Sequence, residues 1–125
     1  MLRTMLLIGL GGFLGSVSRY LVGQGLHRLF DTIFPIGTMT VNIVGSFIIG
    51  VIYSLAERDN LVSPEMRMFL TVGFCGGFTT FSSFAFDNLN LLKDSGFLYL
   101  SIYVGGSVFL GLLAVYFGTQ IHKLF

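Results

Sequence analysis

Long apolar runs separated by short polar stretches organise this chain. The first run extends from about Thr4 to Leu29, the second from about Gly37 to Ala56, the third from about Met66 to Leu92 and the fourth from about Phe97 to Ile121. Each meets the roughly 20 residues that an α-helix needs to cross about 30 Å of hydrocarbon. The pattern predicts an all-α integral membrane protein, a single domain over residues 1–125 with four transmembrane helices (about 4–29, 37–56, 66–92 and 97–121). The connections are short: Arg28 to Ile36 with Pro35, Glu57 to Glu65 with Pro64, and Lys93 to Gly96. They place successive helices side by side and antiparallel, and an even number of crossings leaves both termini on one side of the bilayer.

Composition agrees with this partition. Charged residues make up 10% of the chain and hydrophobic ones 54%, and the mean hydropathy is +0.85. A soluble domain carries about 25% charged residues, and one this small leaves much of its surface exposed, so the lipid bilayer has to cover the apolar runs. The formal charge of +1 provides no clustered basic face and excludes nucleic acid as a partner. Cys75 is the only cysteine; no intrachain disulfide is possible, and its apolar setting suggests a buried thiol. A secretory signal is not expected, because the first run continues past Arg19 without a small-residue cleavage site ahead of a soluble domain. Arg3, Arg58, Arg67 and Lys123 on the terminal side stand against Arg28 and Lys93 on the other. That bias is weak, and fits insertion in both orientations or termini held only modestly on the cytoplasmic side.

The polar and small positions inside the runs carry the candidate chemistry. In the first run Gly11, Gly15 and Arg19 recur at i+4; the glycines read as a helix-packing face, while Arg19 either snorkels to the interface or lines a watery vestibule. In the second, Thr38, Asn42, Ser46 and Gly50 form a polar, small-residue stripe on an otherwise apolar helix. Interhelical hydrogen bonding would explain it, and the amide of Asn42 also offers two donors to an anion. The third run contains the stretch Gly73-Phe74-Cys75-Gly76-Gly77-Phe78-Thr79-Thr80-Phe81-Ser82-Ser83-Phe84, whose double glycine and threonines favour a break over a continuous helix packed on small residues. Irregular backbone at membrane depth is tolerated only inside protein or along a cavity, and broken helices expose carbonyls that can hold a small cation. Phe81 and Phe84 share a face of the following half-helix, where ring edges, partly positive, can stabilise an anion. Asp87 follows Ser83 by one turn and reaches the interface, Arg19 or a pore mouth. In the fourth run Tyr103, Ser107 and Gly111 make a second polar line. His27 and His122 sit near helix ends and receive no role.

The four-run layout, Gly12-x-x-Gly15-x-x-x-Arg19, Gly37-Thr38-x-x-Val41-Asn42-x-x-Gly45 and the Gly73–Phe84 stretch resemble the Fluc/CrcB fluoride channel family over essentially the whole chain, the third-run stretch being the most specific part. The resemblance implies an antiparallel, dual-topology homodimer in the cell membrane, the inner membrane of a bacterium. It implies two fluoride pathways that export toxic fluoride passively, and a central structural Na+ at the break of the third helix. By this resemblance the carbonyls of Gly76 and Thr79 from both subunits coordinate the sodium ion. Phe81 and Phe84 match the fluoride-contacting phenylalanines, with Asn42 as polar partner; Thr38, Ser83, Tyr103 and Ser107 contribute hydroxyls along the pathway, and Arg19 matches the vestibule arginine. Asp87 stands where the family leads one to expect glutamate, and Ser83 where threonine is frequent.

A small multidrug or proton-coupled exporter also has four short-looped helices and inserts with dual topology, but proton coupling calls for a carboxylate inside the bundle. The first, second and fourth runs have none, and Asp87 comes late in the third. No intramembrane Ser/His, paired-carboxylate or metal constellation suggests an enzyme.

Overall fold

The computed structural model describes residues 1–58 and 61–124. Asp59 and Asn60, within the connection expected between Glu57 and Glu65, lie outside the described residues, as do Phe125 and the side chain of His122. The chain is helical almost throughout: α1 (Leu2–Leu29), α2 (Ile36–Glu57), α3 (Pro64–Met68), a π-helical stretch (Phe69–Cys75), α4 (Gly76–Phe78), α5 (Phe81–Asp94) and α6 (Phe97–Gln120), followed by a short 3-10 turn (Ile121–Leu124). Four stretches are long and apolar enough to cross a bilayer: Leu2–Leu29, Ile36–Glu57, Pro64–Asp94 and Phe97–Gln120. The protein is a multi-pass membrane protein.

Local sequence sets the ends of these elements. Pro64 opens α3 with its fixed φ while the Ser63 hydroxyl accepts from Met66 N at 3.1 Å, satisfying one of the N–H groups a helix start leaves open. Gly96 joins α5 to α6 at φ 87°, a left-handed conformation that a side chain would disfavour. An exposed ion pair, Arg3 to Glu65 at 2.9 Å, ties the start of α1 to α3 and contributes little by itself in water.

Glycine seams hold the helices together. A Cβ on Gly11 would lie 2.5 Å from the Phe69 carbonyl oxygen, and one on Gly15 would run into the Phe74 carbonyl oxygen and come within 2.9 Å of Phe78 N. Gly73 and Gly77 answer from the third span, against Ile8 O and Gly12 O. A second seam joins α2 to α6: Gly50 meets Val115 O and Gly118, Gly118 meets Phe47 O, and Ser54 Oγ donates to Thr119 O at 2.9 Å. Without a hydrophobic force between helices in lipid, such close backbone approach and interhelical hydrogen bonding hold the bundle. Few large side chains are buried; Tyr103, Val41, Cys75 and Phe78 are among them. The faces of α1 and α6 remain apolar and exposed, as lipid contact requires.

Candidate functional site

The third span is interrupted near its middle. Thr79 (φ −89°, ψ 159°) and Thr80 (φ −153°, ψ 120°) are extended between α4 and α5, so the double-glycine, double-threonine stretch breaks the helix where the sequence favoured a break. The seven-residue π-helical stretch ahead of it, not foreseen from the sequence, widens the turn. Such stretches occur frequently at functional sites.

An interruption at this depth leaves backbone groups in need of partners, and side chains supply them. Asn42, 38 residues away on α2, engages both backbone groups of Thr80: Thr80 N donates to Asn42 Oδ1 at 2.8 Å, and Asn42 Nδ2 donates to Thr80 O at 3.1 Å. Helix α2 comes this close because of Gly45, where a Cβ would overlap the γ-methyl of Thr79. Thr80 in turn caps α5, its Oγ1 accepting from Ser83 N at 3.2 Å. On the other side of the break Cys75 O accepts from both Thr79 N (3.0 Å) and Thr79 Oγ1 (2.8 Å).

These bonds divert two donors. In a continuous helix Thr80 N–H would close on Gly76 O and Ser83 N–H on Thr79 O. Here the first goes to Asn42 and the second to the Thr80 hydroxyl. The carbonyls of Gly76 and Thr79 are the ones released. Neutral carbonyl oxygens suit a hard cation, and among the described residues no three His, Cys, Asp or Glu side chains converge to offer another kind of metal site.

Two cavities meet at Thr80. One, of about 450 Å³, is lined by Arg19, Gln24, His27, Thr38, Ser83 and Asp87 among others; the second, about 280 Å³ and open to the outer surface of the bundle, is lined by Asn42, Gly45, Ser46, Ile49, Thr79 and Phe81, and Thr80 belongs to both. Arg19 therefore lines a vestibule, with its Nε buried and without a hydrogen-bond partner among the described residues. The α2 stripe divides between destinations: Thr38 faces the vestibule, Asn42 and Ser46 the outer cavity, and Gly50 the α6 seam. Steps of four residues in a helix of 3.6 per turn advance the direction by about 40° each time, so the row winds round α2.

The aromatic residues form a short chain. Phe81 is 79% exposed at the outer cavity; its ring lies 5.9 Å from that of Phe84, which lies 4.9 Å from Tyr103, and Phe34 meets Tyr103 edge-on at 5.4 Å. Tyr103 is fully buried, and its hydroxyl donates to Asp87 Oδ2 at 3.1 Å. Ser107, one turn further along α6, has a buried Oγ with no partner among the described residues and lies apart from the lining of both cavities. In the sequence Thr80 counts only among the residues that favour the break, although a threonine directly before a half-helix is also an N-cap signal. The vestibule residues Gln24, His27 and Phe34 belong to a helix end and a loop without periodicity to mark them.

Residues 6–119 match the profile of the family described as CrcB-like protein, Camphor Resistance (CrcB). A protein of Chlorobium phaeobacteroides (strain DSM 266) named "Fluoride-specific ion channel FluC" is 52% identical over 122 residues, 95% of this chain and 92% of that protein. Proteins of the same name from Chlorobium chlorochromatii and Bacteroides fragilis are 50% and 49% identical, covering 91% and 99% of this chain and 88% and 99% of theirs. With a profile spanning nearly all of the chain and relatives this similar along their whole length, the protein belongs to the CrcB family.

Proposed function

We propose that this protein is a fluoride-selective channel that lets fluoride leave the cell passively, working as an antiparallel, dual-topology homodimer with a structural sodium ion at its centre. The observation that carries the reading is the near full-length similarity, at about half of all positions, to proteins named fluoride-specific ion channels. Chemistry of the site supports it. Fluoride is small and strongly hydrated, so its path must replace water with donors yet release the ion again. Arg19 draws the anion into the vestibule, where the hydroxyls of Thr38, Ser83 and Thr80 take over from water. Asn42 Nδ2 keeps one hydrogen free of Thr80, and the edges of Phe81 and Phe84 provide weak, partly positive contacts. Tyr103 and Ser107 stand behind this path, Tyr103 through its bond to Asp87.

A second subunit explains the outer cavity. Asn42, Ser46 and Thr79 open onto the surface of the bundle beside an exposed Phe81, and lipid chains cannot satisfy polar groups there. A copy in the opposite orientation covers the groove and brings a second pair of Gly76 and Thr79 carbonyls to the same place. These four oxygens would hold Na+, whose charge offsets the carbonyl dipoles gathered at the interface. The reading is tested by fluoride efflux from liposomes holding the purified protein, with chloride as control. Rapid fluoride-selective efflux, lost in Phe81→Ile and in Asn42→Asp, is expected. Well-folded protein that passes no fluoride would overturn the channel.

A further inference from the structure

We infer that Asn42 is a positioning residue for the cation site: by capturing the Thr80 N–H it keeps the Gly76 carbonyl open, so cation affinity depends on a side chain of the anion path. The inference rests on the reading that Gly76 and Thr79 hold Na+. A peptide N–H buried in a membrane protein needs an acceptor. For Thr80 the acceptor within its own helix would be Gly76 O, four residues back; the acceptor it has is Asn42 Oδ1, at 2.8 Å. The return bond from Asn42 Nδ2 to Thr80 O, 3.1 Å, makes the contact two-pointed. The two peptide groups that flank the Thr80 Cα are thereby both held.

Each of the two carbonyls is released by a different residue. Thr80 Oγ1 takes Ser83 N–H and frees Thr79 O; Asn42 takes Thr80 N–H and frees Gly76 O. Only the second release depends on another helix. It is held by α2 as a rigid body, brought in where Gly45 allows contact with Thr79. Without the Asn42 oxygen, Thr80 N–H turns back to Gly76 O, the carbonyl aligns with the helix axis, and one ligand per subunit is lost. Because linkage is reciprocal, whatever binds at Asn42 and whatever binds at Gly76 affect each other equally.

The experiment is a thermal unfolding series on purified full-length protein in detergent, with NaCl exchanged against choline chloride at constant ionic strength. A ligand that binds the folded state raises the midpoint as its concentration passes its dissociation constant, so the parent yields a Na+ half-saturation. Asn42→Leu and Asn42→Ala are both expected to raise that half-saturation about tenfold or more, the effect of losing a residue that orients metal ligands. Asn42→Asp keeps the oxygen that accepts from Thr80 N–H but loses the return donor, and is expected to stay closer to the parent's half-saturation than the Leu and Ala variants while losing fluoride flux. Ser63→Ala, which removes the cap at the start of α3 and leaves α2 untouched, should lower the midpoint without moving the half-saturation. Parent-like half-saturation in the Leu and Ala variants overturns the proposal, as does an Asp variant as weak as Leu. A parent whose midpoint ignores Na+ overturns the cation reading itself, and the role of Asn42 with it.

Discussion

Tyr103 illustrates how a single residue changes meaning between sequence and structure. By spacing it belongs to a polar line on the fourth helix; in the bundle its proton points at Asp87 and its ring is wedged between Phe34 and Phe84. Tyr103→Phe keeps the ring packing and leaves the carboxylate without that donor. We expect a loss of about 1.5–3 kcal/mol in stability, the usual net value of a bond to a charged group, together with fluoride efflux well below the parent's; chemical denaturation and liposome flux check the two. Unchanged efflux would leave the hydroxyl a purely structural tether. Asp87 itself was legible only as an acid late in the third run, with the interface, Arg19 and a pore mouth all open to it. The fold brings it to the vestibule that Arg19 and Thr38 also line, a neighbourhood assembled from three helices that no local pattern announces.

At the level of the element, the glycines divide into those that need to be glycine and those that do not. On α1 a methyl group at Gly15 would meet the backbone of Phe74 and Phe78, whereas one at Gly9 meets nothing within 4 Å. Gly15→Ala should therefore force α1 away from the third span and cost about 1–3 kcal/mol, as overpacking does. Gly9→Ala should be neutral or slightly stabilising, since alanine favours the helix. Thermal unfolding of the two variants side by side decides, and equal midpoints would contradict the seam. The sequence exposed the four helices well, because hydrophobic length is a strong signal, and it favoured the break through Gly76, Gly77, Thr79 and Thr80. It could not reveal what stabilises the break. Asn42 and Thr80 are 38 residues apart, and a bond of that separation belongs to the packing of α2 on the third span, brought about by Gly45. The π-helical stretch was equally hidden, since Phe69–Cys75 has an ordinary apolar composition.

For the whole molecule, the expected pairing of opposite orientations has a direct consequence for labelling. Cys75 is only 1% exposed and stays silent, so a cysteine placed at Asp94, on the exposed end of α5, reports orientation alone. In intact cells a membrane-impermeant maleimide should reach about half of Asp94→Cys chains, and all of them once the membrane is opened, as expected when the flanking Lys and Arg bias is weak. Labelling of all or none before opening would exclude dual insertion. The row that winds around α2 links distant parts of the bundle in another way. Thr38 at the vestibule, Asn42 at the break and Gly50 at the α6 seam are carried on one stiff rod, each turned a little further than the last. Such a rod behaves like a camshaft: a small roll about its axis, wherever it begins, displaces all three together. Loosening the seam at Gly50 would thus retime the grip on Thr80, and a residue inserted between Asn42 and Gly50 would throw the two about 100° out of phase.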